Sequence, residues 1–401
     1  MDMAQAAKGR RVGVAVVGMG GAVATTAAAG LELMRSGSNR MDGLPLAHVS
    51  VPGLVAYENM VLAGWDLCGQ SLAAAALEHN VLDARQLAAA GPALERVRPW
   101  PAVASRAFCR NIEGANENRA EGHRAAIAAI QADLHRFREA GGFDGLVMLN
   151  LASTERTPTD SDALANPEGF ERALDGNDAA IGPAMLYAYA AITIGVPYGN
   201  FTPSSAADIP ALAELSRRRG VPVAGKDGKT GQTLIKTVLA PAFKARALHV
   251  DGWFSTNILG NRDGEALRDP DSLKSKLGTK TDVLDSILGY PVEDHLVDIR
   301  YYRPRGDDKE AWDNIDITGF LGQRMQVKVN FLCKDSVLAA PLALEIARVL
   351  DLAQQRGESG PQEQLSLFFK APQTVGSRPP EHSFPAQVRM LDQWLMEGAA
   401  E

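Results

Sequence analysis

The chain has 401 residues, 41 Lys and Arg against 48 Asp and Glu, and a formal net charge of -7. A protein that grips nucleic acid by its phosphates carries a basic excess along one face or tail. Here the longest basic run is Arg217, Arg218 and Arg219, so nucleic acid is not an expected partner. Three dispersed cysteines exclude a disulfide framework or a cysteine-based zinc site and point to a reducing cytoplasm. No apolar leader core and no run of about 18 apolar residues predicts secretion or a membrane span.

The length fits two domains of ordinary size, or one large domain with an insert, and 46% hydrophobic residues supply a core. Residues Val12 to Val17 read as a buried strand, followed by a glycine turn and a helix of small residues reaching about Met34. Further strands are predicted in LAHVSV, DGLVMLNLA, VPYGNF and VPVAG, with helical patterns in AAIGPAMLYAYAAITIG and AADIPALAELSRRRG. This alternation predicts an α/β fold with a doubly wound parallel sheet.

After about residue 245 the pattern changes. ALHVDGWFSTNIL, EDHLVDIRYYRP and NIDITGFLGQRMQVKVNFLC read as longer strands of a mostly antiparallel sheet, separated by a helical SLKSKLGTKTDVLDSIL. SVLAAPLALEIARVLDLAQQRG reads as a long apolar helix that returns to the first domain. GSRPPEHSFPAQ is expected to be irregular, and VRMLDQWLMEGA is the last helix. The expected domains are 1–235, an inserted α+β domain at 236–335, and a return at 336–401.

Gly18, Gly20 and Gly21 follow a strand and open a helix, where a dinucleotide pyrophosphate meets backbone N–H groups; a tight strand-to-helix turn is the alternative, since Val23 stands where the usual third glycine falls. Asp66 in GWDL is a candidate for the ribose carboxylate, or a simple helix cap. GKDGKTGQTLIKT fails the P-loop spacing because the first glycine falls at Val223, which leaves either an anion loop using Lys229 or an exposed turn. Lys276 and Lys280 lie i, i+4 with Ser272 and Leu284 supplying no carboxylate, so the pair reads as an anion site or a solvated face. Taken singly, Asp307, Asp308 and Lys309 read as a polar loop, Asp335 as a helix N-cap, and Lys370 as a surface charge. No HExxH is present and the histidines are isolated, so hydrolase and zincin readings drop out. Of 12 lysines, 11 lie at or beyond Lys226, in a chain with 29 arginines. That asymmetry places any amine chemistry in the second half.

In order and spacing, GMGGAVATT (18–26), GWDL (64–67), ASTER (152–156), GKDGKTGQTLIKT (225–237), STNILGNRDG (255–264), SLKSKLGTK (272–280), GDDK (306–309), KDSVLAAPL (334–342) and LFFKAP (367–372) together resemble the myo-inositol-1-phosphate synthase family in its short form. The resemblance implies a Rossmann domain holding NAD, interrupted by an α+β catalytic and tetramerisation domain, in a cytoplasmic homotetramer. It implies conversion of D-glucose 6-phosphate to 1D-myo-inositol 3-phosphate by C5 oxidation, enolisation, intramolecular aldol closure and re-reduction, without net redox change. Carried over residue by residue, the catalytic set is Lys276, Lys280, Lys309, Lys370, Asp227, Asn257, Asp263 and Asp335. The cofactor set is Gly18, Gly20, Gly21, Ala22, Val23, Asp66, Ala152, Ser153, Thr154 and Asp335. On this resemblance Lys276 relays the C5 hydroxyl proton, Lys309 stabilises the enolate or aldehyde oxygen, and Lys280 and Lys370 hold phosphate or assist enolisation. Asp335 lies near the nicotinamide and orients a lysine. Two departures, Lys226 and Arg262, stand where the family carries Asp and Asn. They add positive charge, and leave open whether a monovalent or divalent cation takes part and whether the product is another cyclitol phosphate. A non-catalytic NAD-binding homologue and an ordinary sugar-phosphate dehydrogenase are the competing classes.

Overall fold

The computed structural model describes residues 9–37, 41–110, 112–159, 161–260, 264, 283–376 and 378–397. Strands β1 (Val12–Val17) and β4 (Gly145–Asn150) are buried along their whole length, as their unbroken apolar runs require of central parallel strands. They join β2 (Met60–Asp66), β3 (Trp100–Pro101), β5 (Tyr198–Asn200), β6 (Pro222–Gly225) and β11 (Gly360–Pro361) in a parallel sheet ordered β3-β2-β1-β4-β5-β6-β11. That is the Rossmann order with one strand added, and its direction of winding switches between β1 and β4.

Helices of the first layer system are α1 (Ala22–Arg35), α2 (Leu72–His79), α3 (Ala84–Leu94), α4 (His123–Gly141), α5 (Pro167–Asp175), α6 (Pro183–Thr193) and α7 (Pro210–Arg219). Alanines on α1 let it lie close to the sheet, and Leu31 and Leu33 fill the core beside Met60 and Leu344. The predicted strand LAHVSV is instead a series of turns: Ala47 and Val49 donate to the carbonyls of Leu44 and Leu46. Pro45 and Pro52, neither of which has an N–H to give to a strand ladder, bracket the segment.

Helix α8 (Gln232–Ala245) leads into the second sheet, ordered β10-β9-β7-β8. Its strands are β7 (His249–Leu259), β8 (Asp294–Tyr301), β9 (Asp308–Thr318) and β10 (Arg324–Lys334); β7 and β8 pair in parallel and the other neighbours antiparallel. The segment read as one long strand, NIDITGFLGQRMQVKVNFLC, is a hairpin, reversed at Gly319 to Gln323 where Leu321 and Gly322 take φ of 59° and 68°. Helix α9 (Val283–Leu288) packs with α8 on Trp253, Ile315 and Ile317 to form a separate core. Helix α10 (Asp335–Gln355) follows β10 directly and returns to the first sheet, where it packs against α1 and β4. The last helix, α11 (Phe384–Glu397), starts earlier than expected, inside the Pro-rich stretch. Among the described residues no helix is long and apolar enough to cross a membrane.

Candidate active site

The strand-to-helix turn after β1 sits at the switch point of the sheet. Gly18 has φ of 89°, and a Cβ there would lie 3.0 Å from the backbone of Ala152 after β4, so this residue must be glycine for the two strand ends to meet. The turn's own N–H groups are committed internally: Gly18 and Met19 donate to the Trp65 carbonyl, Gly20 to Asp66 Oδ2 at 2.9 Å, and Gly21 to the Gly18 carbonyl. The N–H groups aimed outward are therefore those of Ala22 and Val23, the first of α1, which have no helical carbonyl to serve them.

Asp66 is the last residue of β2, the usual place for a ribose carboxylate, although the long loop between α1 and β2 separates it from the glycines by far more sequence than is usual. Its carboxylate also braces the turn, accepting from Gly20 N and Cys68 N. It is not a helix cap, because Ser71 holds the N-cap of α2 and its hydroxyl accepts from Ala74 N.

From this point a cleft of 920 Å³ runs to the second sheet, near the upper end of the roughly 300–1,000 Å³ common for small-molecule sites. Its cofactor-side wall includes Gly18, Gly21, Ala22, Val23, Asp66 and the 152–154 segment. Its far wall includes Asp227, Thr230, Lys309, Asp335 and Lys370. The architecture fits a bound dinucleotide: room at Gly18, donors at Ala22 and Val23, a carboxylate at the end of β2, and a groove between β1 and β4.

Of the four predicted catalytic lysines, Lys309 and Lys370 are described, and both are buried and paired. Lys370 Nζ lies 2.7 Å from Asp227 Oδ1, with Lys370 6% and Asp227 3% exposed. Backbone bonds hold this pair: Asp227 N donates to Thr202 O, and Lys370 N donates to Asp227 O. Asp227 takes φ of 60°, a left-handed conformation that Asp tolerates better than most residues. Lys370 is therefore no surface charge.

Lys309, on β9, places Nζ 3.2 Å from Asp335 Oδ1, and Thr230 Oγ1 donates to the same oxygen at 2.9 Å. Asp335 is the first residue of α10 and not its cap; Lys334 holds the cap position without a side-chain bond. Asn257, on β7, is buried outside the cleft lining and donates through Nδ2 to Gln232 Oε1 at 2.5 Å. Asn257 Oδ1 and Gln232 Nε2 find no partner among the described residues, an acceptor and a donor left for a ligand or water at the start of α8. Lys276, Lys280 and Asp263 lie outside the described residues, as does Arg262.

Lys229 is not an anion ligand. Its Nζ donates to Gln387 Oε1 on α11 and lies 5.5 Å over the Phe384 ring, away from the cleft. Burial pushes its ammonium down to about 7. The unfolded chain therefore binds more protons than the folded one from about pH 7 to the ordinary lysine range, and the folded state gains stability as pH rises through that window. Against Lys229→Met, the wild type should gain up to about 1.4 kcal/mol per pH unit between pH 7 and 10 in urea unfolding. Parallel stability profiles for the two proteins would contradict the burial of this amine. Lys226 is also occupied elsewhere, with Nζ 2.6 Å from Asp208 Oδ2.

Across most of its length the chain is similar to known proteins. The sequence profile described as "Myo-inositol-1-phosphate synthase", an NAD-binding profile, matches residues 39–396. The chain belongs to the myo-inositol-1-phosphate synthase family. It is 41% identical to Inositol-3-phosphate synthase 1 of Bacteroides thetaiotaomicron over 96% of this chain and 95% of that one. Two crystal structures share the fold at 24% identity. Inositol-3-phosphate synthase of Caenorhabditis elegans superposes with a TM-score of 0.90 over 98% of this chain and 86% of that one. A myo-inositol-1-phosphate synthase-related protein of Thermotoga maritima gives 0.80 over 96% and 99%.

Three residues of the site escaped the sequence reading. Glu155 lines the cleft and accepts from Ala184 N at the start of α6 at 3.0 Å; burial pushes its carboxyl up to about 8. Thr230 and Gln232 bracket Gly231 ahead of α8, each bonded to a predicted site residue. Their neighbour Lys229 drew attention through charge, whereas a hydroxyl and an amide carry no such signal. Among the described residues no group of three or more His, Cys, Asp or Glu side chains is placed to hold a metal ion.

Proposed function

We propose that the protein is an NAD-dependent isomerase, an inositol-3-phosphate synthase that converts D-glucose 6-phosphate to 1D-myo-inositol 3-phosphate. The observation that carries the reading is one cleft walled at one end by the dinucleotide turn and at the other by two buried lysines, each held by a carboxylate. When bound, NAD would supply a reversible hydride acceptor for C5 of the sugar. Ala22 and Val23 N–H and the α1 dipole would bind its pyrophosphate and Asp66 would hold the ribose, with residues 152–154 lining the same cleft.

The sugar chemistry falls to lysines. Oxidation at C5 acidifies the C6 protons; loss of one gives an enolate whose carbon attacks the C1 aldehyde, and the new alkoxide takes up a proton. Lys309 stabilises the enolate or the aldehyde oxygen, oriented by Asp335. Lys370, held by Asp227, binds phosphate or assists enolisation. Lys276, Lys280 and Asp263 complete the set, with Lys276 relaying the C5 hydroxyl proton, and Asn257 offers its amide beside Gln232. Lysine suits these tasks because a buried ammonium can yield its proton, which guanidinium cannot do at physiological pH.

Incubation with D-glucose 6-phosphate and NAD+ should yield an inositol monophosphate by NMR without net NADH. Net NADH would point to a dehydrogenase, a different cyclitol phosphate to a related cyclase, and no turnover of any hexose phosphate to a non-catalytic homologue. Running the assay with chelator, and with added monovalent or divalent salts, tests whether a cation takes part.

The reading includes a homotetramer. The face of the second sheet turned from α8 exposes Phe254, Leu296 and Leu332, which supports its use as a contact between copies. Light scattering should give the mass of four chains, and a fully active monomer would contradict the tetramer.

A further inference from the structure

Asp307 immediately precedes β9, two residues before Lys309, and it is 6% exposed. Its three oxygens reach across to the start of α10. The backbone carbonyl accepts from Asp335 N at 3.1 Å, Oδ2 accepts from Ser336 N at 3.0 Å, and Oδ1 accepts from Ser336 Oγ at 2.7 Å. Helix α10 lacks a side-chain cap of its own, so Asp307 serves two of its first N–H groups from a distant part of the chain. The register of β9 with β10, Asp308 opposite Lys334 and Lys309 opposite Cys333, brings these segments side by side but does not fix how α10 leaves the sheet. The clasp does.

Its consequence falls on Asp335. That residue sits inside the clasp, between the backbone bond at its own nitrogen and the doubly bonded Ser336, and presents Oδ1 to both Lys309 Nζ and Thr230 Oγ1. Three segments of chain, before α8, at β9 and at α10, thus converge on one carboxylate oxygen. We propose that Asp307 is a positioning residue, which acts through Ser336 to hold Asp335 and Lys309 in their reactive arrangement. This inference rests on the reading of Lys309 as a catalytic amine. A misplacement of about 1 Å in such an arrangement costs on the order of 10²-fold in rate.

Three variants test it: Asp307→Ala, Asp307→Asn and Ser336→Ala. The amide introduced by Asp307→Asn keeps the clasp without the charge, its oxygen accepting from Ser336 N while its NH2 group donates to Ser336 Oγ. We expect Asp307→Ala to lower kcat for D-glucose 6-phosphate about 10²-fold, with KM and the NAD+ dissociation constant within about threefold of wild type. Asp307→Asn should recover to within about fivefold of wild type, and Ser336→Ala should lose on the order of tenfold in kcat. Amide hydrogen exchange should show loss of protection at Ser336 in Asp307→Ala and its retention in Asp307→Asn. If Asp307→Ala fails to fold, Ser336→Ala carries the test alone. An Asp307→Asn protein as inactive as Asp307→Ala would overturn the proposal, because the charge and not the clasp would then matter. So would an unchanged kcat in Asp307→Ala. A wild type inert towards hexose phosphates would sink the functional reading and the catalytic part of this one, while the exchange data would still decide whether the clasp exists.

Discussion

Lys309→Met should lower kcat for D-glucose 6-phosphate by about 10³-fold while leaving the NAD+ dissociation constant within about threefold. Methionine nearly matches the lysine stem in length, so the loss is that of the ammonium and not of packing. In the wild type Lys309 is 7% exposed as a residue, its ammonium lies 3.2 Å from Asp335, and it borders the cleft. A cation withdrawn from water and fixed before the reaction stabilises a developing enolate far better than one in bulk solvent. The Asp335 carboxylate keeps Thr230 as a donor after the substitution, which favours a folded variant. Stopped-flow or discontinuous product assays would measure the effect, and turnover within tenfold of wild type would remove Lys309 from the mechanism.

Glu345→Ala should destabilise the protein by about 4 kcal/mol, the largest stability effect we expect from a single substitution. Glu345 is 0% exposed in the middle of α10, and one carboxylate there serves three partners. Its Oε2 pairs with Arg348 at 2.7 Å; its Oε1 accepts from Tyr57 OH at 2.5 Å and from Leu46 N at 3.0 Å. Arg348 in turn donates to the Val55 carbonyl and stacks 4.0 Å over the Tyr57 ring. Burial first, and then the Glu345 charge, raises the Tyr57 phenol well above its ordinary range, so it stays a donor. Truncating Glu345 strands a buried guanidinium and two buried donors together. Urea unfolding of Glu345→Ala would measure this, and a loss below about 1 kcal/mol would show that the network is not closed as described. The carboxylate lies about three turns along α10 from Asp335, so activity per folded molecule should be nearly unchanged.

The contrast between these two residues shows what was legible in the sequence. Strand β1, its glycine turn and α1 were readable because a fully buried strand and a turn with positive φ at Gly18 leave a local composition trace. Lys309, Lys370, Asp227 and Asp335 were identified through motif order, while the residues taken singly suggested loops, a cap and a surface charge. Their burial and pairing depend on contacts across 26 and 143 positions of sequence, which no local pattern records. The same holds for Glu345, bonded to Tyr57 across 288 positions, and that network explains the misread LAHVSV segment. Its alternating apolar residues resemble a strand, but Leu46 is held by its backbone to α10 and the N–H groups of Ala47 and Val49 are used in local turns. Lys229 failed in the opposite sense: a basic residue in a Gly-rich loop suggested an anion ligand, and its side chain instead turns away to Gln387.

In the reaction we propose, C5 is oxidised, the ring closes and the same carbon is reduced in one cleft before anything is released. D-glucose 6-phosphate deuterated at C5, turned over with a catalytic quantity of NAD+, tests it most directly. The expected product is an inositol monophosphate that retains the deuterium on the carbon derived from C5, with no net reduced cofactor. Deuterium accumulating in free reduced cofactor, or an open-chain keto sugar phosphate as the product, would contradict it.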